Sequence, residues 1–304
     1  MKIAVLGAGA VGGYCGTMLK PHVDEVIFIA RGQHLKAMQQ NGLIVHSSMS
    51  GSHHIRAIFT DDFKALMHAD LIIFTVNSAQ TKETAAQMLP HLKPESTVLT
   101  LQNGVDNEER LAALIGSDRV LSGASYITVQ LESPGVIRQE NIQSFVIGPL
   151  SENGRLKAEL ITDLFNRSGL ECKLSSNILE TKWEKFLYNA TFNPLCALTQ
   201  KTIGEILDAE ALRSYAEDIL MEIVLIAKGL GVDLKQAVID EVFPKSELVR
   251  NHRPSMLQHR EQGKKMEVES LCGYVIQKGN DLGVKTPVLE YVYHALLSIN
   301  NSLK

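Results

Sequence analysis

Lys2-Ile3-Ala4-Val5-Leu6-Gly7-Ala8-Gly9-Ala10-Val11-Gly12 decides how this chain is read. A short apolar run passes directly into G-x-G-x-x-G, residues 10–20 carry a helical pattern, and a second apolar run follows at 25–30. Three glycines alone are a weak signal. With a strand before and a helix after, they mark a dinucleotide-binding turn. Gly7 permits the tight turn, Gly9 lets backbone approach a pyrophosphate, and Gly12 lets the helix pack on the sheet. The helix N-terminus then meets the anion. The plainer alternative is a strand-to-helix turn of small residues with no ligand.

Working outward, apolar runs at 71–76, 97–101 and 145–147 alternate with helical patterns up to about Ser175. That alternation predicts a mostly parallel sheet. Between 120 and 148 the helical patterns vanish, and Ser133-Pro134-Gly135 marks a turn between extended runs. An antiparallel extension at one sheet edge is expected there. From about Asn177 onward long helical patterns take over, notably 211–230 and 268–282, with Gly229, Gly231 and Gly283 near their ends. The expected architecture is an α/β N-terminal Rossmann-type dinucleotide-binding domain (1–175) followed by an all-α C-terminal domain (176–304).

Composition narrows the function. The chain has 304 residues, 45% hydrophobic and 21% charged, with 30 basic against 34 acidic side chains. That is ordinary globular material with no dense basic run for nucleic acid or an anionic membrane. No apolar stretch approaches the ~20 residues of a membrane span. Cys15, Cys172, Cys196 and Cys272 have no metal spacing and are too few for a disulfide scaffold, so a cytoplasmic protein with reduced thiols is expected. His53-His54 and His252 with His259 lack companion ligands, and no metal is expected.

After the second strand an acidic residue would bind a ribose 2'-hydroxyl, but the chain reads Phe28-Ile29-Ala30-Arg31-Gly32. Arg31 would instead pair with a 2'-phosphate, which predicts NADP(H); the alternative is an ordinary exposed loop arginine. In the second domain, Lys185, Asn189 and Asn193 recur every four residues in an apolar run, so a helix places them on one face. A polar row among bulky apolar neighbours needs partners, and a polar ligand would supply them. That helix would open the second domain and could face the first, and clefts between domains are common ligand sites. The positions three and four from Lys185 (Thr181, Lys182, Tyr188 and Asn189) include no carboxylate to hold it.

With these residues in view, the chain resembles the ketopantoate reductase family along nearly its whole length. The resemblance is carried by the turn at 7–12, Arg31, Leu101-Gln102-Asn103-Gly104, Lys185 with Asn189 and Asn193-Pro194, and Ser255-Met256-Leu257-Gln258 followed by Glu267. It implies reduction of a small-molecule 2-keto acid, 2-dehydropantoate, to pantoate by NADPH, a step toward pantothenate and coenzyme A. Lys185 would be the general acid, its pKa lowered toward roughly 8 by burial or a nearby cation. Asn103, Lys185, Asn189, Asn193 and Ser255 would hold substrate. Gly7, Ala8, Gly9, Ala10, Val11, Gly12, Arg31, Gln80, Asn103 and Glu267 would hold or orient NADP(H). A dimer through the second domain is a further implication.

Each residue also has a simpler reading. Lys185 can snorkel to water, Asn189 can satisfy a core backbone group, Pro194 can make Asn193 a helix end, Ser255 can cap a helix starting near Met256, and Glu267 can be an exposed charge beside Lys264. Asn77 departs from a lysine frequent in the family, His259 from an aspartate and Cys272 from an asparagine. Reduction of another 2-keto acid, or a non-catalytic NADP(H)-sensing protein, are the alternative functions; the sensor would need neither Lys185 nor the polar row.

Overall fold

The computed structural model describes Met1–Leu303, and the chain divides into two compact units, one of residues 1–103 and 107–178, the other of 104–106 and 179 onward. In the first unit, ten strands among the described residues form one sheet: β1 (Lys2–Leu6), β2 (Glu25–Ile29), β3 (Leu43–Ser47), β4 (Gly51–Ile55), β5 (Ile58–Thr60), β6 (Leu71–Phe74), β7 (Thr97–Thr100), β8 (Val120–Ser133), β9 (Val136–Pro149) and β10 (Cys172–Leu174). Their order is β4-β3-β9-β8-β7-β6-β1-β2-β5, with β10 paired to β9. Helices α1 (Ala10–Leu19), α2 (Gly32–Asn41), α3 (Thr81–Met88), α4 (Asn107–Ile115) and α5 (Arg155–Arg167) accompany it.

β1 runs parallel to both β2 and β6, and Ile3, Ala4, Val5 and Leu6 are all buried. Burial on both faces is why this strand reads as a continuous apolar run. Chain order reverses across β1, and in open α/β sheets ligands bind beyond the strand carboxyl ends at such a reversal. Gly7, Arg31, the segment after Phe74 and the segment after Thr100 follow the carboxyl ends of β1, β2, β6 and β7.

The antiparallel hairpin β8–β9 turns at Ser133–Val136, but it lies inside the sheet. The edge position expected for it is taken by β3 and β4, because β3 pairs parallel to β9 and β4 closes the sheet. β4 contains Gly51, Ser52, His53 and His54, a polar edge composition that conceals a strand.

The second unit is helical: α6 (Ile178–Thr199, its first residue counted with the sheet unit), α7 (Ile203–Asp208), α8 (Glu210–Gly229), α9 (Gln236–Asp240), α10 (Val242–Glu247), α11 (Ser255–Glu261), a π-turn at Glu269–Gly273, α12 (Tyr274–Leu282) and α13 (Pro287–Ser302). Ile219, Ile223 and Ile226 of α8 pack in one apolar core with Leu187 and Cys196 of α6 and with Val275, Leu289 and Leu296. Buried Glu222 accepts from Val288 N at 2.9 Å and Leu289 N at 3.0 Å, which satisfies two first-turn N–H groups of α13. No helix among the described residues is long and apolar enough to cross a membrane.

Gly7 has a left-handed backbone (φ +98°), and a Cβ there would lie 2.6 Å from Val76 N. Gly32 is also left-handed (φ +61°) but has nothing within 4 Å of that position. Gly32→Ala is therefore expected to lose the about 1–2 kcal/mol of left-handed strain alone, and Gly7→Ala clearly more. Urea unfolding of the two variants checks this, and equal losses would contradict the packing account.

Candidate active site

The turn after β1 ties most of its own carbonyls inward. Gly7 N and Ala8 N both donate to Ile29 O (3.1 and 3.0 Å), which joins the turn to the end of β2. Gly7 O accepts from Gly9 N at 2.7 Å and from Thr75 Oγ1 at 2.8 Å, and Gly9 O accepts from Gly13 N at 2.8 Å. The first N–H groups of α1 have no carbonyl within the helix to bond, and they point along its positive end.

The three glycines differ. A Cβ at Gly12 would collide with Thr75 Oγ1 and lie 2.8 Å from Val5 Cγ1, so the helix packs too closely on the sheet for a side chain. At Gly9 the nearest atom would be Gly7 O at 4.0 Å, so nothing inside the chain demands glycine. Open space at Gly9 suits a group approaching from outside, and a pyrophosphate fits that cradle.

Arg31, extended at the N-cap of α2, is exposed and donates from Nη2 to Gln87 Oε1 at 3.1 Å, its guanidinium 6.0 Å from the Phe63 ring centre. These contacts hold the side chain at the carboxyl end of β2. Beyond β6, Asn77 Oδ1 accepts from Ala79 N at 3.0 Å and caps the short turn Ser78–Gln80, so its departure from lysine has a local structural use. Gln80 ends that turn, exposed, just before α3.

Beyond β7, the Asn103 carbonyl accepts from Asn107 Nδ2 at 2.8 Å and Ser78 Oγ at 3.3 Å. Gln102 Nε2 donates to Val76 O and to Thr81 Oγ1, both at 2.8 Å, and Thr81 Oγ1 donates to Asn107 Oδ1 at 2.7 Å. This buried network joins the two strand ends and fixes the backbone on which Asn103 stands. Thr81 and Asn107 escaped the sequence reading because nothing local signals a pairing 26 residues apart.

In the second unit, Lys185, Asn189 and Asn193 lie on one face of α6. Trp183 meets Phe186 edge-on at 5.4 Å, and Phe192 packs on Tyr188 at 5.4 Å and on Phe243 at 5.6 Å, so aromatic contacts fix the rotation of the helix. Arg260 of α11 donates from Nη1 to the Ala197 carbonyl and, at 2.7 Å, to Leu198 O. A cation there satisfies the carbonyl end of α6 and ties α11 to it.

Asn193 is not a helix end. α6 continues through Pro194 to Thr199 because Leu195, Cys196 and Ala197 are buried in the core, which offsets the proline's missing N–H and its clash. Asn193 is 3% exposed, and its Oδ1 is buried without a hydrogen-bond partner. An orphaned acceptor of this kind costs about 1–3 kcal/mol, which a ligand donor would offset. Asn189 is half-buried.

Lys185 retains some exposed surface, yet burial of its ammonium, helped by the neighbouring Lys182 charge and opposed by Glu267, lowers its pKa from 10.5 to about 7. A lowering toward roughly 8 would suit a general acid, and the shift is in that direction; a snorkelling lysine in open water would not show it. Glu267 is half-buried and acts on both Lys185 and His259, so it is not merely an exposed charge beside Lys264. Asn300 Oδ1 accepts from Met266 N at 2.7 Å and fixes the segment leading into Glu267. His259, whose Nδ1 is buried without a partner, is held below its ordinary pKa by burial, with the Glu267 carboxylate opposing.

Ser255 is exposed at the first residue of α11, where Pro254 occupies the N-cap. It therefore does not cap the helix, and its hydroxyl is not committed to that role. All four cysteines are buried and free.

The Ketopantoate reductase PanE/ApbA family model matches residues 3–152, and the Ketopantoate reductase PanE/ApbA C terminal model matches 177–300. The 2-dehydropantoate 2-reductase of Pyrococcus horikoshii is 30% identical over 303 residues, covering 100% of this chain and 98% of that protein. A crystal structure of a PanE/ApbA family ketopantoate reductase from Ralstonia eutropha superposes with TM-score 0.91 at 30% identity, over 99% of both chains. D-mandelate dehydrogenase, solved as a ternary structure with NADH and anilino(oxo)acetate, superposes with TM-score 0.90 at 24% identity over 99% of both chains, a likeness of fold.

Lys185 should be labelled by an amine-directed reagent with a rate that levels off above about pH 7. The lysine of a short model peptide, labelled alongside as a reference, keeps gaining reactivity toward about pH 10.4. Peptide mass spectrometry after timed labelling separates them, and a Lys185 midpoint above pH 9 would contradict the burial argument.

Proposed function

This chain belongs to the ketopantoate reductase family, and from that premise we propose that it reduces 2-dehydropantoate to pantoate with NADPH, as a cytoplasmic enzyme supplying pantothenate and coenzyme A synthesis. The observation that carries the reading is Lys185, an ammonium with a pKa near 7 on the same helix face as Asn189 and the orphaned Asn193 acceptor. A non-catalytic sensor would need neither this lysine nor the polar row beside it.

The turn at Gly7, Ala8, Gly9, Ala10, Val11 and Gly12 would hold the pyrophosphate, Arg31 the 2'-phosphate, and Gln80, Asn103 and Glu267 the remainder of NADP(H). When bound, the reduced nicotinamide supplies the hydride. Lys185 donates a proton to the ketone oxygen as charge develops there, an interaction strongest in the transition state. A pKa near 7 makes that donor far stronger than an ordinary lysine while leaving much of it protonated near neutrality. Asn189 and Asn193 each carry both an amide donor and an acceptor, so they can orient hydroxyl and carbonyl groups without burying a second charge. Ser255 would meet the carboxylate end, and Glu267 would orient Lys185 by its opposing charge.

The second reading, a reductase of a different 2-keto acid, is favoured by one local feature: His259 and Cys272 replace residues frequent in the family, in the part assigned to substrate. Loss of NADPH absorbance with a panel of 2-keto acids tests both. The proposal expects highest kcat/KM with 2-dehydropantoate; turnover only with another acid selects the second reading, and no turnover with any favours the sensor. Arg31→Ala should raise KM for NADPH about tenfold to a hundredfold, by loss of ~1.5–3 kcal/mol, and leave NADH unaffected. Lys185→Ala should lower the rate by about 10² to 10⁴.

A further inference from the structure

We propose that His34 is the positioning residue of the dinucleotide turn, holding the Ala8 carbonyl and joining the turn to the tip of the β8–β9 hairpin. The inference rests on the cofactor reading above and adds to it a residue outside the glycine pattern.

His34 stands in the first turn of α2, three residues after Arg31. Its Nε2 lies 2.7 Å from Ala8 O, and its Nδ1 lies 2.9 Å from Gly135 N. A backbone N–H can only donate and a carbonyl can only accept, so these two neighbours select one form of the ring. Nδ1 carries the lone pair, Nε2 carries the hydrogen, and the imidazole is neutral. Burial, which lowers the His34 pKa, acts in the same direction.

Ala8 O is the turn carbonyl that most needs such a partner. The hydrogen-bond ladder of α1 begins one residue later, with Gly13 N donating to Gly9 O at 2.8 Å, and Gly7 O is taken by Gly9 N and Thr75 Oγ1. Without His34, the peptide unit that carries Ala8 O would be anchored only through its Gly9 N–H, which donates to Gly7 O at 2.7 Å. Rotation of that peptide would swing a carbonyl dipole into the mouth of the turn, where it would repel phosphate oxygens. His34 opposes this by holding the oxygen.

The other end of the bridge is firm. Gly135 is left-handed (φ +82°), its carbonyl accepts from Ile44 N at 2.9 Å, and a Cβ there would come 3.2 Å from Ala37 of α2. The hairpin tip is thus seated against α2 with His34 between tip and turn. Because Arg31 caps the same helix, one rigid helix start sets both the turn and the arginine assigned to the 2'-phosphate. A pure packing role would need only the volume of the ring. A positioning role needs the donor and the acceptor.

His34→Leu keeps bulk without either polar atom, and His34→Gln restores a donor and an acceptor. NADPH affinity, titrated by its fluorescence on the purified protein, should fall by at least about tenfold in H34L, as two hydrogen bonds are lost. H34Q should recover most of it, and kcat at saturating NADPH should change less than about twofold in both. H34L affinity within about twofold of wild type, or equal losses in H34L and H34Q, would overturn the inference. If H34L does not fold, H34Q decides, since more than a tenfold loss in a folded H34Q overturns it and near-wild-type affinity supports it. Wild-type protein that fails to bind NADPH would overturn the cofactor reading and this inference together, whereas wild-type binding with an indifferent H34L removes this inference alone.

Discussion

Three residues separate β1, a strand buried on both faces, from α1, and Gly7 at φ +98° supplies the left-handed backbone of that tight turn. With a Cβ excluded by Val76 N and Thr75, the turn presses against the end of β6, and Gly12 brings α1 down onto Val5. The remaining parts of the first unit are arranged around this point. β2 is tied to it through Ile29 O, β6 through Thr75 Oγ1, and α2 and the hairpin through His34. The carbonyls are engaged inside the protein, and the side left for an anion is the N-terminus of α1 and the open position at Gly9.

The second unit meets a different constraint, that of keeping an ammonium in poor solvent. Desolvation and Lys182 favour the neutral amine, and Glu267 favours the charged one. The balance leaves Lys185 near neutrality, where small changes in either neighbour alter its protonation most. Aromatic packing along α6 and the Arg260 contact at its end hold the helix face in place. The orphaned Asn193 acceptor is a local cost that the surrounding core tolerates.

Much of this was legible in the sequence. β1, β2, β6 and β7 read clearly because parallel strands buried on both faces are apolar throughout, though the expected ends at 30, 76 and 101 ran past Ile29, Phe74 and Thr100 into loops that are themselves partly apolar. β4 was missed because Gly51, Ser52 and its histidines suit an exposed edge, and β3 because its apolar run stops after Val45, and that error placed the hairpin at the edge of the sheet. Asn193 was open to a helix-end reading because local propensity stops at Pro194, whereas the burial of Leu195 to Ala197 that carries α6 onward is a tertiary effect. The same limit hides Thr81, Asn107, Arg260, Asn300 and His34, whose partners lie far away in sequence. Lys185 itself was visible because no carboxylate stood at helical spacing to explain it. The size of its pKa shift depends on packing and was not.

The central claim is that Lys185 supplies the proton, and the pH dependence of kcat/KM for NADPH-driven reduction of 2-dehydropantoate tests it most directly. Because the acid form is required and its pKa is lowered to about 7, the wild-type rate should be level below that value and fall tenfold per pH unit above it. Lys185→Ala should be slower and should lack that descending limb. The same limb persisting in Lys185→Ala, or a wild-type rate that stays level to pH 9, would contradict the account.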